Sequence, residues 1–202
     1  MTMLFWTGFG FWLGAIPFSL WLGALLLRVD IRRYGDGNPG ATNAWRAGGW
    51  WVGLLGLLLD YLKGAIPVGL ANFLFGLSGW ELVPVALAPA VGHGFSPFLR
   101  FRGGKALATT FGLWTGLTLG EGPLIFGLLL ACFYLVQTSD GWAVVCGLIA
   151  FLIYLWLRPV GAELIAVWIG NGLLLSWKYR ADLAAGARFQ PWLLNWVRRI
   201  YG

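Results

Sequence analysis

Long apolar runs alternate with short polar connections along the chain. The runs cover about 3–27, 49–76, 80–99, 106–120, 123–138, 141–157 and 160–177. A hydrocarbon core takes about 20 apolar residues per helix. The pattern therefore predicts an all-α integral membrane protein with about seven transmembrane helices. The fourth and fifth runs are short, and a hairpin there is expected to tilt or sit shallow. Pro17, Pro67, Pro84, Pro89 and Pro123 predict kinks or helix ends. Glycine recurs inside the runs, which lets helices approach closely. No repeat, low-complexity segment or linker interrupts the pattern, so residues 1–202 read as one membrane-embedded domain.

Composition strengthens this reading. Of 202 residues, 59% are hydrophobic and only 11% are charged, against about 25% charged in soluble domains. The formal net charge is +6. Because the cations sit beside apolar spans, the expected partners are membrane lipids and phosphorylated substrates, not nucleic acid. No obligate protein partner is evident. Cys132 and Cys146 lie inside apolar runs without metal-like spacing and read as small core residues. No basic stretch precedes the first run, so a cleaved leader is not expected.

Charge sets the expected orientation. Residues 28–46 hold four Arg against two Asp, and residues 100–105 hold three cations and no acid. The tail after Trp177 carries Lys178, Arg180, Arg188, Arg198 and Arg199 against Asp182. The connections near Glu81 and Glu121 hold acids and no cation. The positive-inside rule puts both basic loops and the C-terminus in the cytoplasm and the N-terminus outside. The expected location is the cell inner membrane, with Arg158 the one dissenter. The stretch from Pro191 to Tyr201 mixes aromatics with Arg198 and Arg199 and reads as a helix lying on the inner surface.

Two polar connections are rich in glycine. The first runs from Gly35 through Asp36, Gly37, Asn38, Pro39, Gly40, Ala41 and Thr42 to Asn43, and is closed by Arg46. Its glycines allow backbone conformations closed to other residues, so its amides can converge on an anion. Asn38, Thr42 and Asn43 add donors, and Arg46 supplies a planar fork suited to phosphate. The plainer reading is a turn with a topogenic arginine. The second connection holds Gly92, His93, Gly94, Arg100, Arg102, Gly103, Gly104 and Lys105, then resumes an apolar helix. Lysine after two glycines at a helix start suits phosphate. The spacing of a Walker motif is absent. Arg100 and Arg102 serve equally well as topology signals.

His93 is the single histidine in the chain. Its neutral form could take a proton from a hydroxyl, while the plain alternative is a hydrogen-bonded structural role. Asp60 and Lys63 stand at i,i+3 in the second run. Charges at that depth are costly and usually paired. A mutual ion pair that aims the site is expected, with a proton or ion pathway as the weaker alternative. No nucleophile–base–acid arrangement is visible.

These residues resemble the bacterial acyl-phosphate:glycerol-3-phosphate acyltransferases (the PlsY family). The match begins with Ile16-Pro-Phe and Ile31-Arg, then Gly37-Asn-Pro-Gly-Ala-Thr-Asn43 and Arg46. It continues with Asp60-Tyr-Leu-Lys-Gly64, Gly92-His-Gly-Phe-Ser-Pro, Phe101-Arg-Gly-Gly-Lys105 and Ala108-Thr. The resemblance covers about half the chain, in order. It implies a seven-helix inner-membrane enzyme that moves a fatty acyl group from acyl phosphate to the 1-hydroxyl of sn-glycerol 3-phosphate. Lysophosphatidic acid for phospholipid synthesis would be the product. It implies catalytic roles for Arg46, Lys105 and His93. Asp36, in the same loop as Arg46, is expected either to pair with Arg46 or a neighbouring Arg or to take the acceptor's hydroxyl proton. Substrate contacts would fall to Gly37, Asn38, Gly40, Thr42, Asn43, Gly92, Gly103, Gly104, Tyr179 and Asp182.

The chain also departs from the family. Asp36 stands where Ser is usual, and Ala106 where Gly is usual. The His-Arg-x-Asn motif reads Tyr179-Arg-Ala-Asp182 here. These changes leave open a divergent acyltransferase with another acceptor, or an inactive scaffold. An anion transporter is the non-enzymatic alternative, although such folds usually carry repeats. An activated acyl donor needs positioning and charge more than a protein nucleophile. The acyl tail is expected in a groove between helices. No cofactor or metal is implied.

Overall fold

The structure, a computed structural model, describes residues 1–201. The chain is helical throughout, apart from turns and one isolated bridge between Gln137 and Phe189. The first apolar run forms α1 (Thr2–Ala15) and α2 (Phe18–Leu22), separated at Pro17 and extended by a wider turn to Leu27. A short α3 (Ala41–Arg46) leads into α4 (Trp50–Gly69), itself extended to Leu74. Then come α5 (Leu82–Gly94), α6 (Leu107–Thr118), α7 (Glu121–Val136), α8 (Asp140–Trp156) and α9 (Ala162–Lys178). A brief α10 (Arg180–Ala184) and the tail helix α11 (Pro191–Tyr201) complete the chain.

Each expected apolar run is thus a helical stretch. Three of them, Thr2–Leu27, Trp50–Leu74 and Gly79–Leu99, are long and apolar enough to cross a membrane by length and composition. The expected short hairpin is α6 and α7. Proline acts as expected at Pro17, where α1 ends, and at Pro84 and Pro123, which sit in first turns. Pro67 and Pro89 lie inside α4 and α5.

The outer surface is apolar. Leu54, Leu58, Leu128, Ile149, Ile153, Ile169 and Leu173 are all exposed. So much continuous apolar surface suits lipid, not water. Inside, Trp114 packs edge-on to Phe151 at 4.8 Å between centroids, and Phe126 closes the cluster at 5.5 Å from Phe151. Because lipid offers little hydrophobic drive between helices, close backbone approach carries the packing. At the α4–α6 seam, a Cβ at Gly112 would strike the Tyr61 carbonyl oxygen. One at Gly64 would strike the Thr109 carbonyl oxygen.

Several polar groups in the interior are paired. Lys63 lies 2.7 Å from Asp60, as the i,i+3 spacing predicts. Ser19 Oγ donates to Asp60 Oδ2 at 2.7 Å, and Lys63 Nζ donates to the Ile16 carbonyl at 2.8 Å. The cluster therefore joins α4 to the break between α1 and α2. Arg158, the topological dissenter, pairs with Glu121 and is neutralised where the α6–α7 and α8–α9 connections meet.

The tail helix α11 is amphipathic. Trp192, Leu194, Trp196 and Ile200 are exposed beside Arg198 and Arg199. Trp192 Nε1 donates to the Leu135 carbonyl at 2.9 Å, and Gln190 Nε2 to the Tyr134 carbonyl at 3.0 Å. These bonds dock the tail at the end of α7.

Candidate active site

The two glycine-rich connections meet at Lys105. In the first, Gly35 and Gly37 have φ of 57° and 75°, a region that excludes most side chains. Asp36 Oδ1 accepts from the Asn38 amide at 3.2 Å and from Asn43 Nδ2 at 2.9 Å. Asn43 Nδ2 also donates to the Asn38 carbonyl at 2.9 Å. Asp36 and the buried Asn43 therefore shape the turn that leads into α3. The second connection folds back under α5, where the Gly104 amide donates to the His93 carbonyl at 3.1 Å. A Cβ at Gly104 would strike His93 Nε2, so glycine there leaves room for the imidazole.

Lys105 Nζ lies 2.8 Å from Asp36 Oδ2 and 2.8 Å from Asp182 Oδ2. It also sits 4.6 Å above the ring of the buried Tyr179. Partial burial pushes the Asp36 carboxyl up, but the bonds from Lys105, the Asn38 amide and Asn43 outweigh it and hold it below its ordinary value. Burial likewise works against the Lys105 ammonium, yet Asp182 and Asp36 more than offset it and raise it.

Two cavities share Lys105. One, of about 450 Å³, is lined by Asp36, Gly37, Asn38, Gly103 and Asp182, and by the basic residues Arg102, Lys178 and Arg180. The other, of about 190 Å³, is lined by Asn38, Gly40, Thr42, Asp60, His93 and Tyr179. It shares Leu57, Ala108 and Phe111 with an apolar groove of about 410 Å³ against α4 and α6. A polar pocket and an apolar groove are thereby neighbours across the same side chains.

Most of the residues singled out by the sequence converge here, with exceptions. Asp36 pairs with Lys105 and not with Arg46. Arg46 is exposed, lines neither cavity, and lies 3.5 Å from Asn43 Oδ1. The reason is that α3 turns its last residue back over Gly35, where a Cβ would strike Arg46 Nη1. Gly92 is also outside the cavities: it packs α5 onto α1, and a Cβ there would strike the Phe11 carbonyl oxygen. Asn43 and Gly104 act from behind, through Asp36 and His93. His93 Nδ1 has no hydrogen-bond partner among the described residues and lies 3.8 Å from Asp60 Oδ1.

Sequence reading gave Lys178 only a topological role. Its ammonium donates to the carbonyls of Gly94 at 2.7 Å and Gly103 at 2.9 Å, tying α9 to both ends of the second connection. Its one sequence signal is its position directly before Tyr179.

Comparison with known proteins follows this geometry. The family model for glycerol-3-phosphate acyltransferase matches residues 4–187. A glycerol-3-phosphate acyltransferase of Thermotoga maritima is 38% identical over 184 residues, covering 84% of this chain and 90% of that protein. One from Thermus thermophilus is 40% identical over 185 residues, covering 91% of each. Among solved structures, the glycerol 3-phosphate form of PlsY, an integral membrane glycerol 3-phosphate acyltransferase, superposes with a TM-score of 0.83 at 32% identity, covering 91% of each chain. Its lysophosphatidic acid form gives 0.82 at 31% identity with the same coverage. The chain belongs to the glycerol-3-phosphate acyltransferase family.

Proposed function

We propose that this protein transfers a fatty acyl group from acyl phosphate to the 1-hydroxyl of sn-glycerol 3-phosphate. The observation that carries the reading is the arrangement about Lys105, which lines both a cavity rich in cations and a smaller one that shares Leu57, Ala108 and Phe111 with an apolar groove. The acyl chain lies along Leu57, Ala108 and Phe111 with its phosphate at Lys105. The acceptor phosphate lies among Arg102, Lys178 and Arg180. The acceptor hydroxyl attacks the acyl carbon, the bond from that carbon to the phosphate oxygen breaks, and inorganic phosphate leaves. The hydroxyl proton passes to a phosphate oxygen or to His93, whose Nε2 faces Gly104. Lys105 and the loop amides hold the charge that grows on the leaving group. Arg46 joins them by swinging off Asn43.

A second reading, another acceptor, is favoured by one feature: Asp36 and Asp182 place two carboxylates where phosphate is to bind. Purified protein given palmitoyl phosphate with either glycerol 3-phosphate or uncharged polyols decides between them by mass spectrometry. Lysophosphatidic acid as the main product supports the first reading. Acylated polyol as the main product supports the second, and no acyl transfer to any acceptor overturns both.

We also read all seven apolar stretches as spans of the inner membrane, with the glycine-rich connections and C-terminus in the cytoplasm and the N-terminus outside. Cation bias supports this. Cysteines placed at positions 37 and 103 should resist an impermeant reagent added to intact cells. Strong external labelling of either would overturn the orientation.

A further inference from the structure

A third cavity, of about 430 Å³, adjoins the larger Lys105 cavity at Arg102 and is lined by Arg32, Phe98, Arg100 and Arg102. Three arginines from two connections share it. Asp30 grips Arg32 through both carboxylate oxygens, at 2.9 and 2.8 Å, which fixes its guanidinium. Arg100 and Arg102 make no ion pair among the described residues. Planar forks with unspent charge suit phosphate oxygens.

The surroundings identify the source of that phosphate. Phe98 stacks edge-on with Trp21 at 5.7 Å and with Trp12 at 6.2 Å. All three rings are about half exposed, on the outside of α1, α2 and the turn after α5. Aromatic rings of this kind mark the level of lipid headgroups, and basic pockets beside membrane helices hold anionic headgroups. A soluble phosphate would gain nothing from the aromatic edge. The backbone is also strained here, since Arg100 and Phe101 are consecutive left-handed residues with φ of 51° and 61°. Strain of this kind collects at binding sites. It is held by the Phe101 amide on the Ser96 carbonyl at 2.9 Å.

We propose that Arg32, Arg100 and Arg102 form a headgroup site for an anionic phospholipid, whose chains lie along the Phe98, Trp12 and Trp21 edge. Arg102 lines both this cavity and the larger Lys105 cavity, so bound lipid sits beside the proposed substrate pocket and shares one arginine with it. The site needs only the membrane setting and not the acyltransferase reading.

Native mass spectrometry of the purified protein in neutral detergent tests it, with phosphatidylglycerol, phosphatidylcholine and inorganic phosphate as probes. Turnover is not read, so its outcome is separate from that of the proposed reaction. The parent should retain phosphatidylglycerol over phosphatidylcholine by tenfold or more, and R32Q/R100Q should lose about tenfold of that preference. R198Q/R199Q, altered in the tail helix, should keep it. An unchanged preference in R32Q/R100Q overturns the proposal. So does displacement of phosphatidylglycerol by inorganic phosphate at equal concentration, which would assign the cavity to a soluble anion. If R32Q/R100Q elutes aggregated, Arg100→Gln alone is judged by the same outcomes.

Discussion

Lys105 and Asp182 meet at 2.8 Å although 77 residues of chain separate them. With Asp36 on its other side, the ammonium is held between two carboxylates before any substrate arrives. Under the proposed function, a phosphate that binds Lys105 competes with these two carboxylates for its charge, and the cost of that competition appears in substrate affinity.

Replacing either carboxylate should therefore tighten phosphate binding. Ser at position 36 keeps an oxygen able to accept the Asn38 amide, so Asp36→Ser removes charge while sparing the turn. Asp36→Ser and Asp182→Asn should each lower the KM for glycerol 3-phosphate several-fold, with kcat held within a few-fold. Steady-state kinetics checks this. An unchanged KM in both variants would show that the bridge opens without cost.

The bridge also fixes an expectation about pH. Asp36 is held below its ordinary value, so its contribution is present above about pH 4 and lost as pH falls through the lowered value. Lys105 is raised, so its contribution is present below about pH 10 and lost as pH rises through the raised value. Across pH 5–9 the bridge stays closed. Any KM step in that range should follow the second ionisation of the phosphate monoester, near about pH 6. The step should persist in Asp36→Ser, and its disappearance there would count against a closed bridge.

Lys105 should outrank Arg46. Loss of a charged contact to developing phosphate charge costs about 3–4 kcal/mol. Lys105→Ala should accordingly lower kcat by about a hundredfold or more while the protein still inserts and purifies. Arg46→Ala should cost less, because Arg46 rests on Asn43 outside both cavities. Equal losses would mean that α3 moves Arg46 fully into the site during turnover.

Asp60 and Lys63 form a buried pair whose members cannot be removed singly without cost. Leaving one charge unpartnered at such a site costs about 3–5 kcal/mol. Asp60→Leu or Lys63→Met alone should lower the thermal midpoint in detergent sharply, and the double variant should recover part of the loss. A double variant no better than the worse single would assign the stability to the bonds with Ser19 and Ile16 instead of the pair.

The fold was readable because lipid imposes a coarse code. Runs of apolar residues became helices, and Pro17 broke the first one. The i,i+3 spacing of Asp60 and Lys63 became an ion pair. The convergence of two polar connections was readable from residue type alone. Their internal wiring was not. Asn43 reads as a donor to substrate but donates to Asp36, because α3 turns it inward. Arg46 reads as a phosphate ligand, and the same turn rests it on Asn43, outside both cavities. Gly92 looked like part of an anion loop, while its small size serves helix packing. Lys178 looked topogenic because nothing in its neighbours shows two carbonyls waiting for it across 84 and 75 residues.

The break at Pro17 bears on how the protein is made. The carbonyls of Ala15 and Ile16 stand where α1 stops; Ile16 accepts from the Phe18 amide at 3.0 Å, and hydrocarbon would supply neither carbonyl with a further donor. In the finished protein Ala15 takes the Ser96 hydroxyl at 2.6 Å, and Ile16 takes the Lys63 ammonium at 2.8 Å. Those donors lie 81 and 47 residues downstream. Until the second and third segments have been made, the Ala15 carbonyl lacks the Ser96 hydroxyl and the Ile16 carbonyl lacks the Lys63 ammonium. The first segment is therefore completed only when the third is in place.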